Sequence, residues 1–302
     1  KLFPLQKNRH HSIAPSSSVI MMPLLLYPLS RTVMDSSFPI KTLQTTSSCF
    51  HYQDKGTGPA LLLIHGSLCD LRYWRWQLPE LAGHCRVIVP SLPHYWPQEN
   101  AQTEFSVYQH ARDMLHLLDA LNIESAHVLG HSRGGSIAIQ MALEQNDKVR
   151  SLILADPGIR TRQQESHANF KHEALLAIQE GKLDEGLAVF IDAVSGENTW
   201  KRMVRWFKQM VRDNANTLVL QQNEPAFYFD EAIFSALTLP VTLLGGSDSP
   251  APFPQIIARL DSILPQAQSH VISPASHGMN LAMPHEFNRI ILDHLIQQAF
   301  TN

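Results

Sequence analysis

Three residue types in this chain are spaced as the parts of a nucleophilic site would be. Ser132 sits in Val128-Leu129-Gly130-His131-Ser132-Arg133-Gly134-Gly135, with one glycine two residues before it and another two after. A serine forced into a strained strand-to-helix turn brings backbone close on both sides, and glycine at those two positions avoids the clash. The turn also aims backbone N–H groups at the place where an oxyanion forms. A serine hydroxyl is a weak nucleophile that needs a base, and the base needs an orienting carboxylate. His277, in Pro274-Ala275-Ser276-His277-Gly278, is the expected base. Two aspartates compete for the third role. Asp248 follows Leu244-Gly245-Gly246-Ser247, and Asp156 lies in Ala155-Asp156-Pro157. Asp248 is the expected acid, with Asp156 as its rival. The expected oxyanion donors are the backbone N–H groups of Ser67 and Arg133, with Leu68 as the neighbour that could replace Ser67.

These residues need elements to hold them. Lys41 to Asp54 alternates loosely and predicts two short strands, closed by Gly56-Thr57-Gly58-Pro59. Ala60 to Ile64 is a continuous apolar run, the mark of a strand covered on both faces, and it ends at His65-Gly66-Ser67. A helix is expected over Trp74 to Ala82, a strand over Arg86 to Val89, and an amphipathic helix over Thr103 to Leu121. The strand before Ser132, the helix Ser136 to Leu143 and a strand over Val149 to Leu154 continue the alternation. That rhythm means a parallel sheet with helices on both faces. From Gly158 to Ala236 it breaks into helical patterns such as His172 to Glu180 and Trp200 to Val211. Strands return at Val241 to Leu244 and His270 to Ile272, and a last helix spans Pro284 to Ala299. Ser132, both aspartates and His277 all fall at strand ends, where open parallel sheets bind ligands.

Composition narrows the classes. The chain has 302 residues, 44% hydrophobic and 17% charged, with a formal net charge of −3 and no block of like charges. That balance excludes a dedicated nucleic-acid binder, which needs a basic patch. Three scattered cysteines, Cys49, Cys69 and Cys85, with no CxxC pair, predict neither a disulfide framework nor a structural zinc, and a cytoplasmic, reducing location. Sixteen histidines show no metal-ligand spacing.

Residues 1–33 hold four basic residues and no acid, and the apolar run Val19 to Leu29 is interrupted by Pro23 and Pro28. It is too short to span a bilayer. Residues 1–36 are therefore expected to be a disordered leader or an over-extended N-terminus, with Met34 as the natural start. The expected organisation beyond it is a core over 37–157 and 237–302, with a helical cap over 158–236. The cap residues Trp200, Met203, Trp206, Phe207 and Met210 are expected to pack it onto the core rather than line a pocket.

His65-Gly66-Ser67, Gly130-His131-Ser132-Arg133-Gly134-Gly135, Gly246-Ser247-Asp248 and Ser276-His277-Gly278 together resemble the α/β-hydrolase fold superfamily, in its group with a helical cap after the sixth strand. The resemblance covers roughly residues 40–300. It implies a doubly wound, mostly parallel eight-stranded sheet, no cofactor and no metal, and a small-molecule substrate held between cap and sheet. The expected activity is that of an esterase-like serine hydrolase acting on an ester, thioester or similar acyl bond of a small apolar substrate. Haloalkane dehalogenases and epoxide hydrolases of this fold place aspartate where this chain has Ser132, which disfavours both. Carbon–carbon bond hydrolysis, acyl transfer, cofactor-free perhydrolase or haloperoxidase chemistry, and ligand binding without catalysis remain as alternatives. His65 is expected to hold its loop by hydrogen bonds, and His131 to pack rather than act as base.

Overall fold

The structure, a computed structural model, describes residues 38–45, 48–98, 101–159, 169–225, 227–228 and 230–300. The expected leader over 1–36 lies outside them. The apolar runs form strands β1 (Lys41–Gln44), β2 (Cys49–Lys55), β3 (Ala60–Ile64), β4 (Arg86–Ser91), β5 (Ala126–His131), β6 (Val149–Ala155), β7 (Val241–Gly246) and β8 (Ala267–Ile272). They make one eight-stranded sheet in the order β1-β2-β4-β3-β5-β6-β7-β8. Strand β2 runs antiparallel to both of its neighbours, and every other pairing is parallel. The order reverses at β3, which has β4 on one side and β5 on the other. A crevice opens at the carboxyl ends of strands at such a point. The loops after β3 and β5 carry Ser67 and Ser132 into it.

The helices are α1 (Leu78–Leu81), α2 (Val107–Ala120), α3 (Arg133–Glu144), α4 (Asn169–Gln179), α5 (Leu183–Ser195), α6 (Thr199–Arg202), α7 (Arg205–Asp213), α8 (Asn216–Gln222), α9 (Glu231–Phe234), α10 (Phe253–Ile263), α11 (Met279–Ala282) and α12 (Pro284–Ala299). Helices α4 to α9 all fall between β6 and β7 in the chain. Three helix expectations are corrected in detail. Pro79 lacks an N–H and its ring crowds the carbonyl four residues back, so Trp74 to Ala82 does not form one helix. A 3₁₀ turn over Leu71–Trp74, capped by Asp70 accepting from the Arg72 N–H, and the short α1 stand there instead. Helix α2 starts at Val107 because Ser106 caps it, its side chain accepting from the Gln109 N–H at 3.0 Å. Trp200 to Val211 divides into α6 and α7 where Met203 and Val204 take extended backbone.

Side-chain alternation along the central strands separates two apolar layers. Leu62, Ile64, Ile88, Val128, Leu152, Leu154 and Leu243 pack with α2, α3 and α10 on one face. Leu61, Leu63, Val87, Val89, Leu129, Ile153 and Leu244 pack on the other with Phe287 and Ile291 of α12. Leu187, Phe190, Trp200, Phe207 and Met210 of the inserted helices are buried in that second layer, with Met203 and Trp206 against it. Those aromatics serve packing. Polar ties fasten the insertion as well. The buried Asp70 carboxylate binds Arg72 at 2.6 Å and accepts from Asn214 Nδ2 at 2.7 Å, while Asn214 Oδ1 accepts from the Trp96 N–H at 2.8 Å. No helix among the described residues is long and apolar enough to cross a membrane.

Histidines are unusually concentrated inside. Burial holds His65, His127 and His294 down to about 4, and His110 and His131 well below the ordinary histidine value. His127 Nδ1 and His294 Nε2 both meet Ser151 Oγ at 2.7 Å, and Thr242 Oγ1 meets His294 Nδ1 at 2.8 Å. At His65, His127 and His294 the unfolded chain binds a proton below about pH 6.5, while the folded chain refuses it until about pH 4, and His110 and His131 shift in the same direction. Stability from this source is therefore complete above pH 6.5 and is lost as pH falls toward 4, by about 3 kcal/mol at His65 alone. Asp113, raised to about 6 by burial, has the opposite sign: its stabilisation is full at low pH and fades as pH rises through 6. Five histidines outweigh one carboxyl. Thermal denaturation should show the melting temperature falling steeply between pH 6.5 and 4, and a flat profile there would contradict neutral buried imidazoles.

Candidate active site

Ser132 stands between β5 and α3 with φ +54° and ψ −121°, outside the regions ordinary side chains occupy. Its neighbours explain why this backbone persists. A Cβ on Gly130 would collide with the Gly134 carbonyl, and one on Gly134 would collide with the Ile64 carbonyl oxygen at the end of β3. The Ser132 N–H donates to Ala155 O at 3.0 Å, and its carbonyl accepts from the Gly158 N–H at 2.7 Å and the Gly135 N–H at 2.9 Å. The turn is thus tied to both sides of the chain that leaves β6.

That tie also places Asp156. Asp156 is the first residue after β6, fully buried, with φ +39°. Its Oδ2 accepts from His277 Nδ1 at 3.2 Å and from Ser249 Oγ at 2.5 Å. Asp248, the acid expected from sequence, is not brought to His277. It lies two residues past the end of β7 in an exposed turn, where its Oδ1 accepts from its neighbour Ser247 at 3.0 Å. Its backbone N–H donates to Ala275 O at 2.8 Å, so the loop touches the histidine loop while the carboxylate faces solvent. The physical reason is register: the side chain this loop turns inward is Ser249, which is buried.

His277 is buried, and the Phe253 ring stacks on it with centroids 4.0 Å apart and planes 19° from parallel. His131 supports it from the other side, its ring 4.5 Å away and its Nε2–H donating to His277 O at 2.7 Å. Nε2 also lies 3.3 Å from the Tyr73 hydroxyl. Burial and the neighbouring His277 keep His131 neutral, a support rather than a base. The Nδ1–H that His277 gives Asp156 leaves its Nε2 lone pair free to accept a proton.

The loop after β3 faces the serine closely: a Cβ on Gly66 would lie 2.9 Å from Ser132 Cβ. His65 pins this loop. Its Nε2 accepts from the Leu92 N–H at 3.1 Å, which fixes the tautomer, and its Nδ1–H donates to Gly66 O at 2.9 Å. Leu68, next along, is buried with φ +60°. Arg133 is the first residue of α3, so its N–H has no carbonyl within the helix. Its side chain carries more than the sequence suggested. Nη1 donates to Glu224 Oε2 at 2.5 Å, Nη2 to His110 Nδ1 at 3.1 Å, and the guanidinium lies 4.7 Å from the Phe105 ring centroid. Tyr95 is fully buried and packs edge-on against His65 at 4.8 Å. Tyr73, Ser249, Phe253, Gln221 and Glu224 had no sequence signal, since each acts through a contact between distant segments.

Comparison with known proteins decides the family. Residues 59–282 match the family model described as the alpha/beta hydrolase fold. The chain belongs to the α/β-hydrolase fold family. It is 26% identical over 268 residues to a Stutzerimonas stutzeri protein named as a carbamate hydrolase, RutD, covering 82% of this chain and 97% of that one. A 2-hydroxymuconate semialdehyde hydrolase of Pseudomonas sp. strain CF600 is 35% identical over 105 residues, 33% of this chain and 37% of that protein. Among solved structures, a thermophilic esterase from Thermogutta terrifontis superposes with a TM-score of 0.69 and 25% identity, covering 86% of this chain and 97% of the esterase.

Two of the glycines around Ser132 and His277 differ sharply in what they permit. Nothing lies within 4 Å of a Cβ placed on Gly278, beside His277, whereas Gly134 packs against β3. Denaturant unfolding should show Gly278→Ala within about 0.5 kcal/mol of the parent and Gly134→Ala at least about 3 kcal/mol weaker or unfolded. Equal tolerance at both would contradict the close packing of the serine turn.

Proposed function

We propose that this protein is a serine hydrolase that cleaves an ester, thioester or related acyl bond of a small molecule through an acyl-enzyme. The observation that carries the reading is the buried pair of His277 Nδ1 and Asp156 Oδ2 at 3.2 Å, beside the positive-φ serine turn. Ser132 attacks the carbonyl, and His277 takes its proton at Nε2 and returns it to the leaving group. Asp156, in place of Asp248, fixes the imidazole tautomer and stabilises its cation. The backbone N–H groups of Ser67 and Arg133 hold the oxyanion, each contributing about 3 kcal/mol to the transition state. Water, activated by the same histidine, then releases the acid. Serine, acid and histidine follow in that order along the chain, with the acid just after β6 rather than β7. The inserted helices serve as the cap over the site, which the ties from Asn214, Glu224 and Gln221 to the sheet loops support.

A fluorophosphonate probe and p-nitrophenyl esters of increasing chain length, applied to the full chain, test this. The parent should label and turn over, with a rate peak at one acyl length. Ser132→Ala should not label, and Ser132→Ala and His277→Ala should each lower kcat by about 10⁴-fold or more. A folded parent that neither labels nor hydrolyses any ester would overturn the reading.

A further inference from the structure

The two residues assigned to the oxyanion hole share one feature beyond their N–H groups: both of their side chains are held by the same short stretch of the insertion. Ser67 Oγ donates to Gln221 Oε1 at 3.3 Å, and Arg133 Nη1 donates to Glu224 Oε2 at 2.5 Å. Gln221 lies in the last turn of α8 and Glu224 two residues beyond the helix, so one helix end spans both sides of the hole. The Arg133–Glu224 pair is nearly closed to water, its side chains 7% and 11% exposed. A charge pair so enclosed is an expensive way to gain stability alone, since desolvation offsets most of its attraction. A positional role accounts for it better.

The hole needs such restraint. An oxyanion donor works only within a few tenths of an ångström of its place, because a misplacement of about 1 Å costs about 100-fold in rate. The loop carrying Ser67 has Leu68 at φ +60°, a conformation that persists only where surroundings over-determine it. His65 fixes that loop from the sheet side through the Leu92 N–H and Gly66 O. Among the described residues the Ser67 side chain is held from the insertion, by Gln221, and by no residue of the sheet. Arg133 is likewise held at one end by His110 of α2 and at the other by Glu224.

We propose that Gln221 and Glu224 are positioning residues that set the oxyanion hole, so that the hole is complete only while the end of α8 is seated on the sheet loops. The proposal rests on the serine-hydrolase reading above. Substrate that fits beneath α8 is processed; one that lifts it loses oxyanion stabilisation as well as contacts. The insertion then governs transition-state binding, and not only access.

The test measures kcat, KM, melting temperature and the inhibition constant of a trifluoromethyl ketone, whose adduct with a serine carries an oxyanion. Gln221→Ala should lower kcat by about ten-fold or more with KM little changed, and weaken the ketone by the same factor. Gln221→Glu, which keeps an acceptor for Ser67 Oγ, should restore both. Ser67→Ala, which keeps the N–H, should match Gln221→Ala, and the double variant should be no worse than either. Glu224→Gln should weaken the ketone in proportion to its loss of kcat. If it fails to fold, the Ser67–Gln221 cycle decides alone. Variants that lower the melting temperature while kcat and ketone affinity stay at parental values would overturn the proposal, as would additive effects in the cycle. Fluorophosphonate labelling of the parent separates the two failures. A parent that does not label defeats the hydrolase reading, and one that labels with the cycle additive defeats only this positioning role.

Discussion

The site depends on how one strained turn is held. Ser132 keeps φ +54° because two glycines let β3 and α3 close around it, and because its N–H and C=O are both bonded to the chain leaving β6. Such backbone costs about 1–3 kcal/mol per residue, which the surrounding packing must supply. Asp156 is enclosed by the same two bonds, since Ala155 and Gly158 provide them. The Ser132 turn and the Asp156 turn are in this sense one construction. Leu68, Ser132 and Asp156, one from each of three loops at the sheet edge, all take positive φ, so strain gathers around the serine turn.

Much of this was legible in the residues. Apolar runs such as Ala60 to Ile64 fixed the buried strands, because a parallel strand covered on both faces has no polar side to show. Pro284 marked the start of α12, and the glycine spacing around Ser132 marked the turn. Which aspartate meets His277 was not legible. Asp156 and Asp248 both follow apolar strands, and composition does not say which loop turns its carboxylate inward. The structure separates them through Gly158 and Pro157, which dock the Asp156 turn onto Ser132 and Gly135. The loop after β7 contributes Ser249 to that carboxylate instead.

What remained hidden shares one cause. Arg133–Glu224, Ser67–Gln221 and Ser276 Oγ with Ser195 O join the insertion to sheet loops dozens of residues away, and no local pattern encodes such pairings. The histidines show the same limit. His65, His127, His131 and His294 look like scattered polar residues in the chain, yet each is buried, neutral and bonded to backbone or hydroxyl groups. Interior imidazoles that accept at one nitrogen and donate at the other can tie loops without carrying charge. His65 does this for the loop after β3, while His131 holds the loop of His277 through its Nε2–H alone. Among the described imidazoles at the site, His277 is the one bonded to a carboxylate.

The central claim is that His277 is oriented by Asp156 and not by Asp248. The most direct measurement is the kcat/KM of Asp156→Asn and Asp248→Asn side by side on the best ester substrate, with both melting temperatures recorded. The account predicts a loss of about 10³- to 10⁴-fold for Asp156→Asn and parental activity within about two-fold for Asp248→Asn. The reverse order, with Asp248→Asn inactive and Asp156→Asn active, would contradict it.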